Sequence, residues 1–545
     1  MTFNKLAKGL SLNVILALAL TLLVVLPDEI YKMVNSNYQA ELSTKVTIII
    51  FVSYFLAFSS KGGRAPIVLT FFFAGIATNQ LLHFEYFGSH VSPNEIPLFF
   101  DEIDEITVSL FTLWKESLGA FVVWGLMVFV SFKMVTVSRE SRLSLPLASL
   151  VLLAVYTLGL PRKAYNDPSV QNYYPNPKAI SIANGVRSLS WVLANDLYRE
   201  ALGEKRGNKS YVKREPLVVE KLIDKIEPLN IVFVMGESLN PRHMSAYGHE
   251  RKTTPLLDKR INKGEIKKTI VYSGGVSTKV SIPTFFNLKK YPEDTSALTS
   301  GSTNLLALAE EQGMTAWWLS TQSANLSVYS ARVDRERFYT KEDVLREYET
   351  KYDLALLDLL KKVDLAKPNF IVLHERGSHS PYEKYHPSDF VKYPETGVTT
   401  DELRVNSYHN SLLFSDYVHE EIISYLDENS SLPTIVIFTG DHGELLGEGG
   451  YWSHSKLIAG VAEVPFIIWH NKKAKEYADN LYKLKFPTHF EVGKNIATLL
   501  GYKVSDPQEQ DGVYFVNGKN LAGDASFAKM QLGQDGKISS WEILR

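Results

Sequence analysis

Glu237, Asp441 and His442 supply two carboxylates and an imidazole, each directly after an apolar, strand-like run: 231–236 precedes Glu237 and 435–440 precedes the Asp441-His442 pair. That donor set suits zinc or a similar divalent ion and leaves a coordination position open. Thr278, in the stretch Gly274-Gly275-Val276-Ser277-Thr278-Lys279-Val280-Ser281-Ile282-Pro283, is the candidate hydroxyl for that position. A threonine hydroxyl is a poor nucleophile at neutral pH, but a bound cation stabilises its alkoxide and delivers it to an electrophile. A place near the start of a helix would favour an incoming phosphate through free backbone N–H groups. Ser277 and Ser281 compete for the role on chemistry alone. His379 and His454 could donate a proton to a leaving alkoxide, bind a phosphate oxygen or ligate a second metal. His243, His249, His374 and His409 read as solvated or satisfied core histidines, Trp317 and Trp318 as core, and Lys279 as a surface charge.

The elements that must position these residues follow from hydrophobic pattern. In an α/β sheet ligands collect at the carboxyl ends of the strands, so ligands that repeatedly follow apolar runs predict one site assembled from distant segments. Strands are predicted at Ile231–Met235, Thr315–Ser320, Asn369–His374, Thr434–Thr439 and Val464–Trp469, with helices at Thr303–Gln312, Asp353–Val363 and Val405–Leu426. Strands alternating with helices predict a mainly parallel sheet.

The first third of the chain is different in kind. Five apolar segments, Leu10–Leu26, Thr44–Phe58, Ala65–Leu82, Leu118–Val137 and Leu145–Leu160, predict five transmembrane helices. The first ends at Pro27-Asp28-Glu29 with no small-residue cleavage site, so it is read as a retained anchor. Lys5, Lys8, Lys61, Arg64, Lys133, Arg139 and Arg142 mark one set of loops, and Glu95, Asp101, Glu102, Asp104 and Glu105 fall in the other. The positive-inside rule then puts the N-terminus in the cytoplasm and everything after Arg162 on the far side. The predicted division is a membrane domain over 1–164, a connector with surface helices over 165–229 and a catalytic α/β domain over 230–545.

Composition narrows the chemistry further. Lys+Arg 58 against Asp+Glu 60 gives no basic surplus for nucleic acid. Cysteine is absent, which excludes thiolate ligands, disulfides and Cys nucleophiles together.

Four motifs in this order resemble the membrane-anchored phosphoethanolamine transferases, of the alkaline-phosphatase and sulfatase-like superfamily. They are Gly236-Glu237-Ser238 with the following stretch to Pro255, Gly275-Val276-Ser277-Thr278 with Pro283, Gly377-Ser378-His379 with Pro381, and Gly440-Asp441-His442-Gly443-Glu444 with Gly447 and Glu448. The resemblance implies an alkaline-phosphatase-like or sulfatase-like domain facing the periplasm from a bacterial inner membrane. It implies that Glu237, Thr278, Asp441 and His442 bind a catalytic zinc, with Thr278 the phosphate-accepting nucleophile. His379 and His454 match family histidines that contact the phosphoethanolamine group or a second zinc. Relatives that modify lipid A carry a Cys pair flanking the nucleophile, where this chain has Gly274 and Thr284. In place of an Asn and a Lys near the substrate head group it offers Gln322 and Asn325, and no Lys matches.

The function expected is transfer of phosphoethanolamine from phosphatidylethanolamine to lipopolysaccharide, a glucan or another envelope acceptor, through a phosphothreonine. A phosphoglycerol transferase of the lipoteichoic-acid-synthase type is the alternative. A sulfatase is disfavoured, because Ser281-Ile282-Pro283-Thr284-Phe285 lacks the Arg of the formylglycine context. An inactive scaffold should have lost a ligand, and none is lost.

Overall fold

A computed structural model of the chain describes residues 3–36, 38–59, 64–87, 90–93, 96, 114–138, 160–166, 173, 175–198, 215–327, 329–482, 484–485, 487–518 and 527–544. The chain divides into two units, Met1–Ser210 with the short stretch Gly449–Trp452, and Tyr211–Glu448 with Ser453–Arg545.

In the first unit, helices run over Phe3–Val34, Thr44–Phe58, Ala65–Phe87 and Trp114–Ser138. Three stretches, Ser11–Val34, Ala65–Glu85 and Ser117–Val137, are long and apolar enough to cross a membrane. Thr44–Phe58 forms as expected but has only 15 residues, roughly 22 Å of helix against a hydrocarbon core of about 30 Å. The expected fifth segment, Leu145–Leu160, lies outside the described residues except for its last position. The helices bury Leu20, Val24, Tyr54, Phe73 and Ala77 against one another. They also expose Ile15, Leu22, Phe71, Val122, Leu126 and Phe129, and apolar residues on both sides mark helices that lipid surrounds. In the connector, where surface helices are expected, Ser181–Val192 is an α-helix that continues as a π-helix over Leu193–Tyr198. The buried Asp28 carboxylate accepts bonds from Ser181 N and Ser181 Oγ at 2.7 and 2.6 Å, an anion at a helix N-terminus where the free N–H groups favour it.

The second unit is built on a seven-stranded sheet: β1 (Asn230–Gly236), β2 (Ile266–Tyr272), β3 (Thr315–Ser320), β4 (Phe338–Tyr339), β5 (Asn369–His374), β6 (Thr434–Gly440) and β7 (Glu463–His470), in the order β2-β7-β6-β1-β5-β3-β4. Five of these are the predicted strands. β1, β3, β4, β5 and β6 are mutually parallel, while β7 runs antiparallel to both β2 and β6. Every residue of β1, β5 and β6 is buried, which is why these strands read as unbroken apolar runs. Phe233 stacks on Phe285 at 4.8 Å and Phe286 meets Trp318 edge-on at 5.1 Å, so the helix Thr278–Phe286 is pressed onto the sheet. A three-stranded antiparallel sheet, Val513–Asn517, Phe527–Leu532 and Ile538–Leu544, follows.

Candidate active site

Strand register brings the first two candidate ligands together. β1 and β6 are parallel neighbours with Gly236 paired to Gly440, so the next residues, Glu237 and Asp441, leave the sheet side by side. Asp441 N donates to Gly236 O and Ser238 N donates to Asp441 Oδ1, both at 2.9 Å. Thr278 is the first residue of the helix Thr278–Phe286, after an extended Ser277. Its Oγ1 lies 3.1 Å from Glu237 Oε2 and 3.3 Å from His442 Nε2. Ser281 Oγ instead donates to the Asp441 carbonyl and contacts Ser273 Oγ, whereas the Thr278 hydroxyl faces the Glu237 carboxylate.

The arrangement fits a divalent cation. The ligand atoms of Glu237, Asp441 and His442 lie within 4.8 Å of one another, all buried. His442 Nδ1 is 3.1 Å from the Gly443 carbonyl, which anchors the ring and turns Nε2 inward toward the carboxylates, the orientation of a ligating histidine. Asp441 Oδ2 is buried without a well-formed hydrogen bond among the described residues, 3.3 Å from His442 Nε2. Burial opposes charge on Glu237, but His442, His379 and His454 more than offset it and hold that carboxyl down at about 2. Burial and the Glu237 charge push Asp441 up to about 7. Two buried carboxylates that cannot both ionise comfortably are what a metal ion would neutralise.

The remaining predicted residues surround this centre. His454 Nδ1 is 2.9 Å from Glu444 Oε2, and Glu444 Oε1 accepts from Tyr382 at 2.6 Å. The His454 ring lies 4.3 Å from that of His442 and 6.0 Å from that of His379. His442, Glu444 and His454 form a second group of converging ligand atoms. Gln322 Nε2 donates to Glu237 Oε2 at 2.6 Å, and its Oε1 accepts from Arg376 Nη1 at 3.3 Å. Asn325 falls in the short turn Ala324–Ser327, and its side chain is outside the described residues.

Three residues of the site carry no sequence expectation. Glu444 orients His454; its signal was its place in the Asp-His-Gly-Glu motif. Arg376 bonds Gln322, and its position two residues after a buried strand was the available hint. Asp353 accepts from Arg376 N and Gly377 N at 3.1 and 2.6 Å and from Thr321 Oγ1. It thereby pins the loop that carries His379, and nothing in its sequence context marks it. Residues 274 and 284 do adjoin, since a Cβ on Gly274 would stand 2.7 Å from Thr284 Cγ2.

Residues 229–502 match the sulfatase family model. Phosphoethanolamine transferase EptA of Helicobacter pylori is 29% identical over 261 residues, covering 45% of this chain and 48% of the relative. The Kdo(2)-lipid A phosphoethanolamine 7''-transferase of Escherichia coli K12 is 26% identical over 357 residues, covering 60% of this chain and 61% of the relative. The chain thus spans about half to three-fifths of the length of these curated relatives. In three dimensions it is similar to the integral membrane lipooligosaccharide phosphoethanolamine transferase A of Neisseria meningitidis, with a TM-score of 0.58 at 19% identity, over 89% of this chain and 95% of that one. With a fold of this kind and its half-length match, the chain belongs to the sulfatase family, where its relatives are phosphoethanolamine transferases.

Proposed function

We propose that the chain transfers phosphoethanolamine from phosphatidylethanolamine to an envelope glycolipid or glycan by way of a phosphothreonine at Thr278. One observation carries this reading: the Thr278 hydroxyl stands at a helix start, 3.1 and 3.3 Å from Glu237 and His442, over a carboxylate pair with room for positive charge. Glu237, Thr278, Asp441 and His442 would hold the cation, and a sulfur-free oxygen and imidazole set suits zinc. When bound, zinc neutralises the carboxylates and favours the threonine alkoxide.

The chain's own groups account for the rest. Glu237 Oε2 accepts the Thr278 proton, which directs the Oγ1 lone pairs away from the carboxylates toward the open side. Attack of Oγ1 on phosphorus forms the Thr–O–P bond and breaks the bond to diacylglycerol, whose oxygen takes a proton. An acceptor oxygen then attacks the same phosphorus, loses its proton and restores the threonine hydroxyl. His379 and His454 move these protons. Glu444 holds the His454 proton on Nδ1 and so presents Nε2 as the exchanging atom. Gln322 fixes the rotamer of Glu237.

The loop charges support a cytoplasmic N-terminus and a periplasmic catalytic unit at an inner membrane, where the lipid donor is concentrated. The test is reconstitution of the full chain with phosphatidylethanolamine, phosphatidylglycerol and lipid A, with products read by mass spectrometry. One added phosphoethanolamine, lost in Thr278→Ala with zinc retained, is the expected result. Phosphoglycerol addition, or full activity in the variant, would overturn the reading.

A further inference from the structure

We propose that His243, His249 and His409 form a separate transition-metal site, structural in role, that fastens the loop after Glu237 to the helix Thr400–Asn429. One ligand atom from each of the three converges within 4.8 Å. The rings are close to equilateral, with centroids 5.3 Å (His243–His249), 5.2 Å (His243–His409) and 4.9 Å (His249–His409) apart. Three imidazoles bound tetrahedrally to one ion at about 2.1 Å place their centroids roughly 5 Å apart.

The outer nitrogens are arranged as those of ligating histidines are. His243 Nε2 is 3.0 Å from Glu448 Oε1, so its proton sits on the carboxylate side and Nδ1 keeps a lone pair facing the cluster. The His249 ring is hydrogen-bonded to the Arg242 carbonyl. Its Nε2 is buried and has no hydrogen-bond partner among the described residues. A carboxylate on one ring and a backbone carbonyl on another are the outer contacts that fix tautomers in metal sites. Burial, with the neighbouring imidazoles, lowers His249 and takes His409 down to about 2, so both are neutral and able to ligate at neutral pH.

The hydrogen bonds around the three rings show what metal binding must change. Arg251 Nη1 lies 3.1 Å from His409 Nδ1 and 2.7 Å from Asn406 Oδ1. Donation to His409 Nδ1 places that ring's proton on Nε2, 2.9 Å from His243 Nδ1. A metal ion takes the place of this proton, which moves to His409 Nδ1, while Arg251 keeps its shorter bond to Asn406 and its stacking on Tyr393 at 4.9 Å. Arg251 therefore competes with the metal, and its removal should tighten binding. The site differs from the candidate active site in every ligand. It is joined to it through Tyr408, whose OH donates to Ser238 O and accepts from Asn240 N.

The test uses the full chain in detergent, stripped with chelator, reloaded with zinc, desalted and assayed for bound metal per chain by mass spectrometry. His249→Ala is expected to lose one equivalent relative to the unaltered chain, and to lose the same equivalent in a Glu237→Gln background. His409→Asn should behave alike. Arg251→Gln should hold that equivalent against several-fold more chelator. Equal zinc content in the unaltered chain, His249→Ala and His409→Asn would overturn the proposal. So would a loss that disappears in the Glu237→Gln background, which would assign the missing ion to the catalytic centre.

Discussion

Replacing Asp441 by Asn should stabilise the chain in chelator and destabilise it in zinc, a reversal of sign that follows from the pairing of Glu237 with Asp441. The ligand atoms lie within 4.8 Å, and at that separation two unit charges repel by roughly 3.5 kcal/mol at an effective dielectric of about 20. The amide preserves what the carboxylate does for the backbone, since its Oδ1 still accepts from Ser238 N and His442 N at 2.9 and 2.8 Å. Its NH₂ would take the place of Oδ2, 3.3 Å from His442 Nε2. Relaxation reduces the gain, so about 1 to 3 kcal/mol is expected, several degrees in Tm for a unit of this size. With zinc the same change removes a charged ligand, and metal-linked stabilisation falls by RT times the logarithm of the lost affinity. Thermal unfolding of the full chain in detergent should be compared in chelator and in excess zinc, at a pH above the raised Asp441 value of about 7. A variant less stable than the unaltered chain in both conditions would refute the reasoning, because the carboxylate pair would then not be held in tension for a cation.

Gln322→Leu removes the 2.6 Å donor to Glu237 Oε2, a charge-assisted bond worth about 1.5 to 3 kcal/mol. Turnover should drop on the order of tenfold to a hundredfold in a product assay, with metal content kept. Asp353→Ala strands the amides of Arg376 and Gly377 and should cost about 2 to 5 kcal/mol in chemical denaturation. Lys289 is buried, with its Nζ donating to the Tyr291 and Pro292 carbonyls, and burial lowers it from 10.5 to about 7. Between those values the unfolded chain holds a proton the folded one has shed, so stability rises with pH by up to about 1.4 kcal/mol per unit. Lys289→Met should flatten that slope in melts taken from neutral to alkaline pH.

Much of the site was legible because buried parallel strands leave continuous apolar runs, and the residues after β1 and β6 must emerge together. β2 was not, since as an edge strand it exposes Lys267, Lys268, Thr269 and Ile270 and shows no apolar run. β4 has two residues, below any useful period. The C-terminal sheet buries one face only in part, and its weak alternation between Val513 and Leu544 gave no signal. Trp318 is a core residue as its pattern implies, and His374 is a buried histidine bonded to Ser320. By contrast, His243, His249 and His409 are up to 166 positions apart in the chain, and only the packing of the 241–251 loop on a helix gathers them. Asp353 likewise acquires its role from chain closure, because no local pattern pairs a carboxylate with amides some two dozen residues away.

The central claim, a covalent step at Thr278, is tested most directly by trapping. The full chain, loaded with zinc and given phosphatidylethanolamine without an acceptor, should be digested and its peptides mapped by mass spectrometry. One phosphoethanolamine group on Thr278, discharged when lipid A is added, is expected. An unmodified Thr278 in an enzyme that still turns over, or the group found on Ser277 or Ser281 instead, would contradict it.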